Sequence, residues 1–271
     1  MKLTNSLIYI FLFIIAVVTL FPFIWMFFTS FKVEADILAY PPSLIPRTFS
    51  LRSYLEIWNS IPFFRLFVNT VIFSVGVTFI SVILDSMAAY AFARIDFPFK
   101  NILFIIVLVT LMIPFQVILI PLFKLLYELN WLNTYLGLIV PRASSAFGIF
   151  LLRQFFVKIP YALEDAARID GCSEFTIFRK IIMPLSKPAL ATIAIFHFMY
   201  NWNDFLWPMV ITNSMSMRTL PVGLALFRGE HVIEYGMLTA GAVLALLPII
   251  LVYLYAQKYF VQGIALTGLK G

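Results

Sequence analysis

Roughly six apolar runs, each near the ~20 residues a helix needs to cross a hydrocarbon core about 30 Å thick, leave this chain few ways to fold. They are placed near Leu7 to Phe31, Leu66 to Ala93, Ile102 to Leu126, Leu136 to Phe156, Ala189 to Ile211 and Met237 to Phe260. A chain of 271 residues that is 62% hydrophobic and only 12% charged carries more apolar surface than a soluble core requires. Its 30 Phe lie in long blocks without two-residue alternation, so the runs read as helices and not as barrel strands. The expected fold class is an all-α integral membrane protein with six transmembrane helices. It reads as a single domain over 1–271, with a cytoplasmic loop at about 157–188 and external loops at about 32–65 and 212–236.

The first apolar run is about 25 residues long, beyond the roughly 7 to 15 of a signal-peptide core, and is expected to stay as the first spanning helix. Orientation follows from Lys and Arg near the span ends. A cytoplasmic N-terminus puts Lys2, Arg94, Lys100, the basic residues from Arg153 to Lys187, Lys258 and Lys270 inside, the majority of the 19 Lys and Arg. The C-terminus is then cytoplasmic too. That bias accounts for the net charge of +6 in contact with membrane lipid, and no basic patch with interleaved stacking aromatics invites nucleic acid. Cys172 is the only cysteine, so this chain alone forms neither an internal disulfide nor a thiolate metal site, and it reads as a small packing residue.

Between the fourth and fifth runs lies a charged, amphipathic stretch, Glu164 to Pro188, that spanning alone does not require. Pro160 precedes a helix-compatible run, Tyr161 to Ile169, with acidic Glu164 and Asp165 early and small Ala166 and Ala167 keeping its surface flat. Gly171 suits a left-handed cap, Ser173 suits the N-cap of a second helical run to Met183, and Pro184 and Pro188 are expected to close the segment. Such a helix, turn, helix unit fits docking into a groove on another protein.

At these residues the chain resembles the permease subunits of binding-protein-dependent ABC importers. Asp165-Ala166-Ala167, Gly171, Ile181 and Met183-Pro184 follow the spacing of that family's Glu-Ala-Ala, Gly, Ile, Leu-Pro signature, with Asp for Glu and Met for Leu. The sequences ARIDG (Ala167 to Gly171), NDFLWP (Asn203 to Pro208), TLPVGLALF (Thr219 to Phe227) and the C-terminal QGIALTGLKG are similar to carbohydrate-type permeases such as the second membrane subunit of the maltose system.

The resemblance implies a type I importer permease fold in a bacterial or archaeal inner membrane. It implies no enzyme activity on this chain: ATP and Mg would be held by partner ATPase subunits, two of them or a homodimer. The Glu164 to Pro188 segment would be the coupling helix, with Glu164, Asp165, Ala166, Ala167, Asp170, Gly171 and Pro184 meeting the ATPase. A second homologous permease would complete the pathway, and an extracytoplasmic binding protein would dock on the outer loops, with Pro221, Val222, Gly223 and Arg228 as contacts. The cargo implied is a carbohydrate, an oligosaccharide ahead of a polyol or glycerol-phosphate compound. The tail from Gly263 would reach toward the ATPase interface.

Ionisable groups inside spans are costly and mark function. His197, Asn201 and Asp204 share one face of the fifth run, with Trp202 and Trp207 beside them, where they would line a sugar path or fix bundle packing by interhelical hydrogen bonds. Asp85 is expected to pair within the bundle or with the partner permease, with packing as its default role. Gly263 and Gly268 begin like a phosphate-binding loop, but Leu269 stands where Lys is needed. The two histidines, His197 and His231, have no carboxylate at metal-ligand spacing, and no nucleophile elbow occurs. A secondary transporter or channel subunit working without ATP is the alternative, but neither clear in-membrane coupling residues nor an internal repeat supports it.

Overall fold

The computed structural model describes residues 2–225 and 234–268. In chain order its helices are α1 (Lys2–Thr29), α2 (Glu34–Ile37), α3 (Arg52–Ser60), α4 (Phe63–Arg94), α5 (Lys100–Thr110), α6 (Phe115–Glu128), α7 (Tyr135–Ile139) and α8 (Ala146–Phe156). There follow α9 (Ala162–Ile169), α10 (Glu174–Ile177), α11 (Met183–Leu185), α12 (Lys187–Trp202), α13 (Leu206–Ile211), α14 (Leu220–Ala225) and α15 (Tyr235–Gly268). A 3-10 turn, Val140–Arg142, and a π turn, Phe178–Ile182, complete them, and no strand occurs among the described residues.

Three helices hold single stretches long and apolar enough to cross a membrane, Ser6–Thr29, Phe63–Arg94 and Tyr235–Tyr255. Three bent pairs bring the total to six if each is one span. The expected run Ile102 to Leu126 is broken: α5 and α6 meet at 97° across Leu111–Pro114. Pro114 causes this, because proline lacks the N–H for a helical bond and drives its predecessor toward extended backbone. The run Leu136 to Phe156 bends by 43° before Ser145, whose hydroxyl accepts from the Gly148 amide at 2.9 Å and starts α8 afresh. Ala189 to Ile211 is likewise not one helix, since α12 stops at Trp202 and α13 begins at Leu206. The 81° bend of α12 is instead with the preceding run Glu174–Leu185.

One compact unit holds the chain up to Phe67 with Leu220–Pro248. None of the apolar window in α1 is buried, as expected of a helix whose solvent is lipid. Past α1, Glu34 accepts from the amides of Tyr235 and Gly236, both at 3.2 Å, so a carboxylate satisfies the open N–H groups at the positive end of α15. Ile57, Leu66, Leu220 and Val222 are fully buried there.

The second unit holds Val68–Thr219 and the chain from Ile249 onward. One core cluster joins Tyr90, Leu152, Phe156, Ala167, Ile177 and Ile182, which seats the charged segment on the helices. Another joins Phe73, Val77, Leu126, Leu138, Trp207 and Ile211, with Trp207 Nε1 donating to the Leu138 carbonyl at 3.0 Å.

A β-carbon at Gly223 would collide with Leu66 Cδ1. Gly223→Val is therefore expected to cost about 1–3 kcal/mol by overpacking, seen as a lower unfolding midpoint in detergent, and Leu66→Ala should recover part of it in the double variant. Equal midpoints for Gly223→Val and the parent would exclude this packing.

Candidate functional site

The charged segment is built by local chemistry. Glu164 and Asp165 sit in the first turn of α9, where acidic groups complement the helix dipole, and Arg168 sits in the last. Gly171 adopts φ +79°, and its amide donates to Arg168 O at 3.0 Å while the Cys172 amide donates to Ala167 O at 2.9 Å, the paired bonds of a Schellman cap. Ser173 caps α10 by accepting from the Thr176 amide at 3.4 Å. The second run is helical to Leu185 but passes through the π turn. Pro184 lies in the first turn of α11, and Pro188 opens α12 where it was expected to close the segment.

The two acidic residues face different surroundings. Glu164 is 0% exposed and its Oε1 pairs with Arg94 Nε at 2.8 Å, whereas the Asp165 side chain is 63% exposed. Arg94, from the last turn of α4, also donates to the carbonyls of Phe156 at 2.7 Å and Ile159 at 2.5 Å and lies 4.0 Å over the Tyr161 ring. One guanidinium thus ties α4, the end of α8 and the start of α9 together. Arg168 adds a second tie, donating to Glu174 Oε1 at 2.8 Å, and Tyr90 donates to Glu174 Oε2 at 2.7 Å. Ala167 packs inward with Glu164, while Ala166, Asp170 and Gly171 are exposed beside Ile169, which is 86% exposed. Loss of water at Glu164 pushes its carboxyl above the ordinary range, outweighing the Arg94 and Arg168 charges that pull it down.

A second constellation surrounds Asp85, which is fully buried in α4. Ser144 Oγ donates to its Oδ1 at 2.7 Å, as do the Ser145 amide at 3.0 Å and, to Oδ2, Ser145 Oγ at 3.3 Å. His197 Nε2 stands 3.0 Å from Oδ2. The carboxylate therefore joins α4 to the break before α8 and to α12, and at Gly148 a β-carbon would strike it. Beside this hub opens a cavity of about 960 Å³, lined in part by Phe115, Arg142, His197, Tyr200, Asn201 and Asn203.

Of the expected path residues, His197 and Asn201 reach the cavity wall, and Asn201 Nδ2 donates to His197 O at 2.7 Å. Trp202 is turned into the core, stacked on Phe198 with ring centroids 5.3 Å apart. Asp204 leaves the shared face because α12 has ended: it binds Arg142 and accepts from the Trp207 amide at 3.2 Å, starting α13. Val222 and Gly223 are buried in α14, Pro221 is half-buried, and Arg228 and His231 lie outside the described residues. Lys270 and Leu269 do so as well. Arg94 and Arg142 were not anticipated as site residues; the rarity of charge within apolar runs singles out Arg142, whereas Arg94 lies one residue past the run that ends at Ala93.

A model of the family described as binding-protein-dependent transport system inner membrane component matches residues 84–266. The arabinooligosaccharides transport system permease protein AraQ of Halalkalibacterium halodurans is 37% identical, covering 95% of this chain and 93% of that protein. The sn-glycerol-3-phosphate transport system permease protein UgpE of Escherichia coli is 34% identical over 91% of each. Among solved structures, a chain from a bacterial ABC transporter involved in the import of the acidic polysaccharide alginate superposes with a TM-score of 0.84 at 27% identity, covering 96% of this chain and 97% of that one.

Arg94→Gln, which leaves Glu164 buried without its cation, should cost about 3–5 kcal/mol, and Arg94→Met with Glu164→Leu should cost much less. Thermal unfolding of the purified protein in nanodiscs measures this. Because folding raises the Glu164 value, its contribution is fully present below the ordinary carboxylate value and lost as pH rises through the folded one. That component of the pH dependence should vanish in Glu164→Gln.

Proposed function

The chain belongs to the family of binding-protein-dependent transport system inner membrane components, and on that premise we propose that it forms half of a carbohydrate pathway driven by separate ATPase subunits. It is a membrane-spanning permease subunit and not itself an enzyme. The reading rests above all on the Gly171-capped segment: Glu164 is locked inward by Arg94, while Asp165, Ala166, Ile169 and Asp170 are left facing out for a partner. A rigid, seated element of this kind can convert closure of an ATPase dimer into motion of the spans.

In this reading the ATPase subunits, two copies or a homodimer holding ATP and Mg, grip the outward face of α9 between Asp165 and Gly171. Pro184, exposed in the first turn of α11, belongs to the same proposed contact surface. Force passes through Arg94 into α4. Nine residues earlier on that helix, about 14 Å along its axis, Asp85 holds the wall of the cavity through Ser144, Ser145 and His197. Displacing α4 would therefore reshape the cavity. A second, homologous permease would close the pathway, and a substrate-binding protein would deliver cargo at the loops 32–65 and 212–236. There Pro221 and Arg228 are the contacts, while Val222 and Gly223 hold α14 in place. The N- and C-termini would lie in the cytoplasm. The oligosaccharide named for AraQ supports a carbohydrate cargo, and the glycerol phosphate named for UgpE keeps a polyol phosphate in second place.

The decisive assay takes the complex purified with its partners and asks which ligand-loaded binding protein stimulates ATP hydrolysis. Oligosaccharide-loaded protein should stimulate, and stimulation only by non-carbohydrate ligands would end the carbohydrate reading. In the same assay Gly171→Val, strained by about 1–2 kcal/mol at its left-handed φ, should detach the ATPase or let hydrolysis run without uptake. Normal assembly with normal uptake in that variant would refute the coupling role.

A further inference from the structure

The cavity beside Asp85 has a charge balance that selects among carbohydrates. Its volume, about 960 Å³, is at the upper end of the roughly 300–1,000 Å³ of ligand pockets, room for a sugar of several rings. Among the described lining residues only Arg142 and His197 carry basic side chains. Neither offers a free cation. Arg142 is bonded to Asp204, with side-chain exposures of 12% and 9%, and its guanidinium is held 4.4 Å over Phe115 and 5.0 Å from the Tyr200 ring centre. His197 faces Asp85, so any proton it gains is matched by a buried carboxylate already in place.

An anionic sugar entering here would lose hydration without meeting an unmatched positive group, which is unfavourable in a site of low polarity. A neutral polyhydroxyl ligand meets a different wall. Tyr200 and Phe115 supply ring surface for sugar C–H groups, and Asn203 supplies an amide. Asn201 also lines the cavity, and Ser144 and Ser145 add hydroxyls to its wall.

We infer that this cavity is a sugar site for uncharged oligosaccharides and discriminates against anionic ones, because Asp204 and Asp85 neutralise the only basic side chains among its described lining residues. The inference rests on the carbohydrate reading and narrows it. It separates this chain from the anionic cargoes named for the UgpE and alginate proteins.

The test is equilibrium binding to the whole permease and ATPase complex in nanodiscs, without binding protein, using three radiolabelled probes: a neutral arabinotriose, glycerol 3-phosphate and a digalacturonate. Arabinotriose should bind at least about tenfold more tightly than either anion, since a hydrogen bond to a charged group is lost when no cation is free to make it. Asp204→Asn, which frees the Arg142 charge, should improve digalacturonate binding about tenfold, and Arg142→Gln with Asp204→Asn should abolish that gain. If the single variant does not assemble, the probe ranking in the parent and the double variant still decides. Anions binding as well as arabinotriose would overturn the inference while leaving a carbohydrate transporter. Binding of no probe would also overturn it, and the hydrolysis assay with loaded binding protein would judge the broader reading separately.

Discussion

The buried pair between Arg94 and Glu164 is the constraint on which the seating of the charged segment turns. Two charges withdrawn from water are rarely a net source of stability, and the upward displacement of the Glu164 carboxyl shows that attraction does not fully offset desolvation here. What the pair supplies is position. With two backbone carbonyls and an aromatic ring also on the guanidinium, α9 has one seat against α4 and α8, and sliding by a turn would strand a charge in the core. The Ala167 to Ile182 cluster then needs only apolar contact to fill the space beneath it.

Asp85 solves the complementary problem within the apolar part of the chain. A break between helices exposes amides that lipid cannot satisfy, and here the Ser145 amide meets a carboxylate from a neighbouring helix. The interruption is therefore stabilised where a side chain can reach it, and the polar lining of the cavity follows from that repair. Gly148 keeps the approach open, since any larger residue there would displace the acid from its donors.

Much of this was legible in the sequence, and the parts that were not share a cause. The apolar runs, the Gly171 turn and the Ser173 cap depend on local chemistry, and the residues concerned behave as their types dictate. Pro114 carried a local signal for the 97° break, but the length of the surrounding apolar run concealed it. Glu164 and Asp165 are adjacent on one turn, so periodicity places them about 100° apart without saying which is inward. That choice belongs to Arg94, 70 positions away. In the same way Asp85 and His197 were each conspicuous as polar groups in apolar runs, yet their pairing across 112 positions is a property of the packed bundle alone. Asp204 was misplaced because the helix carrying its neighbours ends two residues before it.

Cys172 follows the left-handed glycine directly, is half-buried against the core cluster, and is the only thiol in the chain. Its accessibility is set by whether the turn between α9 and α10 is seated on that cluster. The chain therefore carries its own label position at the turn between α9 and α10: any maleimide or spin probe attached to this polypeptide through its thiol reports on that turn and on nothing else in it.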